Sequence, residues 1–228
     1  MKPFGTKNFL VMTICVTTPF CYDGNERIRT RVIAVYQQDL RAYLHRLRPY
    51  LTTSIVLFSV GIVVGLLIFD RFPNLTDSFE ESLSAFIKQF RGLPKLQLAA
   101  AIFLNNSVKT LVVILLGIFF GIVPAFFLIV NGAALAVVLS LSTQSRGIWL
   151  SLLSILPHGI LELPAVFLGS AIGLMMGVSL TRRLTAKSEI RIAADLSQAV
   201  KFFAAVIVPL LLVAALVEAY VTSALVVR

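Results

Sequence analysis

The residues best placed for chemistry are His158 and Glu162, four apart in SILPHGILELPAVFLGSAIGLMMG (residues 154–177). That spacing puts both on one face of a helix, if Gly159 allows a helix there. An imidazole and a carboxyl so placed can hydrogen-bond to each other, pass a proton, or supply two ligands to a metal. Yet the residues around them are apolar enough to cross a membrane, where a charge at the centre costs about 2.5–3.5 kcal/mol on insertion scales. Such a pair must be either hidden or used. The same holds for the other polar residues in apolar surroundings: Asn105 and Asn106 with Lys109 one turn on, Asn131, and Glu218. With His158 and Glu162 they form a candidate intramembrane polar cluster.

Three uses compete with a structural role. A zinc enzyme needs a third ligand, and Glu218 is the one such group on another helix, so no metal and no cofactor are expected. An intramembrane hydrolase needs a nucleophile; Ser151 and Ser154 precede His158, but a glycine-rich nucleophile setting is missing and no catalytic residue is assigned. A proton or ion pathway fits better, because transporters build sites from broken helices with polar groups at the breaks. No internal repeat supports it.

The elements that must position these residues follow from composition. Of 228 residues, 58% are hydrophobic and 14% charged, with a mean hydropathy of +0.92, too little polar surface to cover a soluble globule. The apolar residues come in blocks near 20, the length that spans a hydrocarbon core of about 30 Å. The expected fold is all-α, a polytopic transmembrane bundle of about five spans: 51–69, 100–120, 122–141, 148–180 and 200–222. The string GIFFGIVP (residues 117–124) breaks a long apolar run into a tight hairpin of the second and third spans. The fourth is too long for one straight crossing and holds Pro157, Gly159 and Pro164, so it is expected to be broken or re-entrant.

Charge orients the bundle. Residues 1–48 form a basic tail (Lys2, Lys7, Arg27, Arg29, Arg31, Arg41, Arg46, Arg48) ahead of a membrane domain at 49–228, and Arg182, Arg183, Lys187, Arg191 and Lys201 lie before the last span. With five crossings these regions share a side, which the positive-inside rule makes cytoplasmic, leaving the carboxyl terminus external. The basic excess, net +9, thus reads as a topology determinant attracted to anionic lipid, and no nucleic-acid partner is expected. Residues Phe9–Val16 faintly resemble a signal peptide but lack a cleavage pattern, and Cys15 and Cys21 match no metal or disulfide pattern. Residues 27–48 mix basic and apolar positions at helical spacing and lead into the first span.

The loop at 70–95 is electrically balanced. Leu75, Phe79, Leu83, Phe86, Phe90 and Leu93 recur there every three or four residues, Ser78 and Glu81 can form a capping box, and Gly92 can end the helix. An external amphipathic helix is expected, lying in the interface or over the spans, with docking of an external partner as the sharper alternative. Small residues recur at close-packing intervals: Gly61/Gly65, Gly117/Gly121, and a zipper at Gly169, Gly173 and Gly177. Packing inside one bundle is the primary reading, and self-association into a homo-oligomer the alternative.

Within this frame, PHGILELPAVFLGSAIGL (residues 157–174) resembles the signature of the stage II sporulation protein M family, whose P-H-G-x-x-E-[LI]-x-A core is matched at Pro157, His158, Gly159, Glu162, Leu163 and Ala165. FLNNSVKTLVVILLGIFFGIVPAFFLIVNG (residues 103–132) is similar to its N-N, G-x-x-x-G and N-G region, and VPLLLVAALVEAYVT (residues 208–222) to its closing helix. The departures are the Arg-rich tail with its two cysteines, and Pro164. The resemblance implies a membrane protein of about five spans that does no chemistry; in spore formers the namesake looks like a scaffold holding cell-wall hydrolases at the septal membrane. Members also occur where no spores are made. The reading is therefore a non-enzymatic scaffold of a cell-envelope complex, with the bilayer and envelope proteins as partners. A transporter or channel subunit using the His/Glu/Asn cluster is the alternative.

Overall fold

The computed structural model describes residues 26–88, 92–186 and 192–222, with the side chains of 26–40, 86–87, 154–158, 186, 192–193 and 221–222 outside the description. The signal-like segment and both cysteines also lie outside it. All regular structure among the described residues is helical. The order is α1 (Glu26–Arg71), α2 (Pro73–Lys88), α3 (Lys95–Leu116), α4 (Ile122–Arg146), α5 (Ile148–Ala186), α6 (Ile192–Phe202), a π-helical turn π1 (Phe203–Ile207), α7 (Val208–Val217) and a second π-helical turn π2 (Glu218–Thr222). Among the described residues, five stretches are long and apolar enough to cross a membrane: Arg41–Arg71, Lys95–Leu116, Ile122–Arg146, Gly159–Thr185 and Ala194–Tyr220.

Contacts divide the chain into two units, Met1–Arg46 and Leu47–Arg228. In the first, the described part is the opening of α1, from Glu26. The second holds the bundle, organised around α5, which packs against α3, α4, α6, α7 and both π-helical turns. In the most apolar 18-residue stretch within Gly159–Thr185, 61% of the residues are buried, against 22–33% in the other four spans, so α5 is the central helix. A cluster of Phe58, Leu128, Val166 and Leu174 joins α1, α4 and α5. Within it the Phe58 and Phe167 rings meet edge to face, centroids 5.1 Å apart.

Two expectations need correction. The fourth segment is not broken: one helix of 39 residues runs from Ile148 to Ala186 through Pro157, Gly159 and Pro164. Each proline removes one N–H from the ladder, and in a membrane bundle the neighbouring helices can hold such a helix together. Its length of about 58 Å exceeds a hydrocarbon core of about 30 Å, so α5 tilts or projects. The capping box does not form, because α2 begins at Pro73, a residue suited to a first helical turn. Ser78 therefore lies inside the helix and donates to the Asn74 carbonyl at 2.9 Å. The hairpin turn at Gly117–Gly121 is tight, with Gly121 at φ 74°, but α3 and α4 pack more extensively on α5 than on each other.

Candidate functional site

The zipper shows how the bundle is assembled. A β-carbon on Gly169 would collide with Thr110, one on Gly117 with the backbone of Gly173, and one on Gly177 with the backbone of Phe120 and Gly121. The zipper face of α5 is thus filled by the end of α3 and the turn after it, and all three zipper glycines are buried. Likewise Gly61 lies against Ile129, Gly65 against Ala133, and Gly132 against Phe58, joining α1 to α4. The glycine repeats are spent within one chain. Both pairs run parallel, since higher numbers meet higher numbers in each.

These contacts set a register for the polar residues. Carrying the Gly117–Gly173 and Gly121–Gly177 pairings back toward the start of α3 puts Asn105 and Asn106 level with Glu162. Helix α4 is antiparallel to α5 across the single residue Gly147, and Pro124 lies against Gly173, its Cγ 3.1 Å from where a β-carbon on Gly173 would be. Counting from either point puts Asn131 within about one turn of the same level. One polar layer, near the middle of α3 and α4, therefore holds Asn105, Asn106, Asn131 and Glu162, all half-buried. Within it the Asn105 amide donates to Asn106 Oδ1 at 3.2 Å, and the Asn131 amide donates to its own helix at the Phe127 carbonyl, 2.7 Å away. Lys109, one turn on, is exposed.

Glu218 opens π2, beside Ala219, which is fully buried. Tyr220 lies two residues on, with the Lys95 ammonium 5.6 Å from the centroid of its ring, a cation–π contact that fixes π2 against the start of α3. The backbone of His158 is helical, one turn before Glu162, but its side chain lies outside the described residues.

Sequence reasoning missed the residues that lock the corners. Ser151 is fully buried; its hydroxyl donates to the Gly147 carbonyl at 2.9 Å and lies 2.9 Å from Ser142 Oγ. That clasps the α4–α5 corner where Gly147 takes φ 82°, and it occupies the hydroxyl considered above as a nucleophile. The serine-rich run around Gly147 was the available signal. Thr110 and Pro124, which fill the space in front of the zipper, gave none. Chemically, the layer offers two kinds of group, amides and a carboxyl, suited to hydrogen bonding. Among the described residues, no three His, Cys, Asp or Glu side chains come together in a way that could hold a metal ion.

Comparison with known proteins gives two matches. The family model for Stage II sporulation protein M matches residues 54–223, which takes in both glycine-locked pairs, the polar layer and π2. An uncharacterized protein of Methanocaldococcus jannaschii is 28% identical over 171 residues, 74% of this chain and 91% of the relative. No solved structure matches the chain.

Proposed function

The chain belongs to the stage II sporulation protein M family, and from that premise we propose that this multi-pass membrane protein is a non-enzymatic scaffold that organises a cell-envelope complex. The observation that carries the reading is where the polar groups spend their hydrogen bonds. Asn131 bonds its own helix and Asn105 bonds Asn106, so the amides stiffen helices. The glycine faces likewise close the bundle on itself. Partners are left the surfaces outside the hydrocarbon, including α2, whose acidic residues Asp77, Glu80 and Glu81 are exposed. A second reading, an ion or proton pathway, is favoured by one observation, the shared depth of Asn105, Asn106, Asn131 and Glu162.

Glu162→Gln separates the two, because it keeps a hydrogen-bonding side chain of nearly the same shape and removes the titrating group. For a scaffold, reconstituted vesicles carry no proton or cation flux above empty vesicles with either chain, and the set of co-purifying envelope proteins is unchanged. Flux through the wild-type chain that disappears in Glu162→Gln, with folding and co-purification intact, would sink the scaffold reading.

The proposed orientation places residues 1–48 and the loop before the last span in the cytoplasm and the carboxyl terminus outside. It rests on the Lys and Arg asymmetry. In a background with Cys15 and Cys21 changed to Ser, a membrane-impermeant maleimide added to intact cells should label Leu93→Cys, and label Thr185→Cys only after lysis. The reverse pattern overturns the orientation.

A further inference from the structure

The α3–α4 turn combines an exposed apolar surface with a strained backbone. Ile118, Phe119, Phe120 and Ile122 are all exposed, Phe119 and Phe120 each by 55% and Ile122 by 66%. No charged residue occurs between Lys109 and Arg146, whereas a turn that meets water is ordinarily rich in polar residues. Phe120 has φ 54°, in the left-handed region that an aromatic residue rarely adopts.

The strained backbone keeps its hydrogen bonds inside the turn. The N–H of Gly117 donates to Ile114, Phe119 to Leu116, Phe120 to Ile118, Gly121 to Gly117 and Ile122 to Phe119, at 2.8–3.2 Å. Water would supply partners for such groups at no conformational cost. Hydrocarbon supplies none, so a turn placed there must satisfy itself.

Depth gives an independent measure. Gly177 of α5 lies against the turn backbone, and α5 continues as a helix to the exposed Arg182 and Arg183, about five residues or roughly 7.5 Å further on. On α1, the pairings of Gly61 with Ile129 and Gly65 with Ala133 put Ser54 level with Ile122. Exposed Arg48 lies about six residues, roughly 9 Å, beyond that level. Arginines sit at the headgroup surface, and two separate helices therefore put the turn below it.

We propose that the Gly117–Gly121 turn does not emerge into water but is a wedge among the lipid acyl chains of the leaflet on the Arg48/Arg182/Arg183 side. Its occupant is lipid, because its exposed side chains continue the exposed apolar surface of α3 and α4 (Leu115, Leu116, Phe126). Envelope partners on that side are consequently confined to the basic segments.

The test measures depth and is independent of the scaffold reading. Trp149 is the single tryptophan, so Trp149→Phe with Phe119→Trp leaves one indole, at the turn of the full chain. In vesicles containing acyl-brominated phospholipid its emission should be blue-shifted and fall at least about twofold, while iodide and acrylamide change it by less than about a tenth. Quenching by iodide or acrylamide instead overturns the proposal in favour of an aqueous loop. Protection from all three quenchers overturns it in favour of protein cover, such as a second copy. Ile122→Trp in the same background provides a second reporter and is expected to behave alike; if Phe119→Trp does not fold, it decides the outcome.

Discussion

Gly173→Val is expected to prevent the bundle from closing, with a loss of about 3 kcal/mol or more, the upper end for overpacking a rigid contact. At this position the helices meet backbone to backbone. A β-carbon would come to 2.8 Å from the Val113 carbonyl oxygen and 3.1 Å from Pro124 Cγ, and neither a helical carbonyl nor a proline ring can swing away as a flexible side chain would. Gly117, which faces Gly173 from α3, has the same constraint, so the change cannot be absorbed by either helix. In lipid this matters more than in water, since apolar helices gain little from burial and associate through close packing. The expected measurement is loss of a monodisperse species in mild detergent and a collapse of cooperative thermal unfolding. Gly159→Ala is the control. Nothing lies within 4 Å of its would-be β-carbon, so there alanine should be neutral or stabilise by up to about 1 kcal/mol through helix propensity. Equal damage from both changes would overturn the contact account, because only Gly173 has a backbone in the way of its β-carbon.

That contrast also marks what sequence could reveal. The spans were visible because hydrocarbon thickness fixes the length of an apolar block, and the α3–α4 turn because Gly117, Gly121 and Pro124 punctuate an otherwise apolar run. The partner of each glycine face was not visible. G-x-x-x-G says that a backbone will approach closely but not which one, and the pairing of Gly173 with Gly117 depends on the register of helices more than 50 residues apart. The same limit holds for Glu218 and Glu162: both are acids in apolar surroundings, and their positions in the sequence do not set the distance between them. The continuity of α5 was hidden for a different reason. Pro157 and Pro164 carry local breaking propensity, and neighbouring helices on several sides of α5 override it. At α2 the competing signals were both local, and Pro73 as a helix start prevailed over the Ser78–Glu81 pair.

Gly132→Leu is expected to release α1 while leaving the α3–α5 contact closed, because the two glycine-locked pairs share no glycine. A β-carbon on Gly132 would strike the Phe58 carbonyl and come to 3.0 Å from the Ile62 nitrogen, so leucine must push α1 away from α4. That displacement also parts the Phe58 and Phe167 rings, now 5.1 Å apart, adding about 0.5–1.5 kcal/mol to an overpacking cost of about 1–3 kcal/mol. Two buried reporters read the pairs separately: Ser54 on α1 is fully buried, and Thr110 on α3 is 2% exposed behind Gly169. As Ser54→Cys and Thr110→Cys, each in a background lacking Cys15 and Cys21, both should resist a lipid-soluble maleimide in the otherwise wild-type chain. Adding Gly132→Leu should raise labelling at residue 54 several-fold and leave residue 110 protected, whereas adding Gly173→Val should expose residue 110. Gly61→Leu attacks the α1–α4 contact from the other side and should reproduce the Gly132→Leu pattern. If Gly132→Leu exposes both reporters equally, the bundle opens as one cooperative unit. In that case α1, which carries the basic segment ahead of the first span, cannot move without unfolding the helices that hold the polar layer.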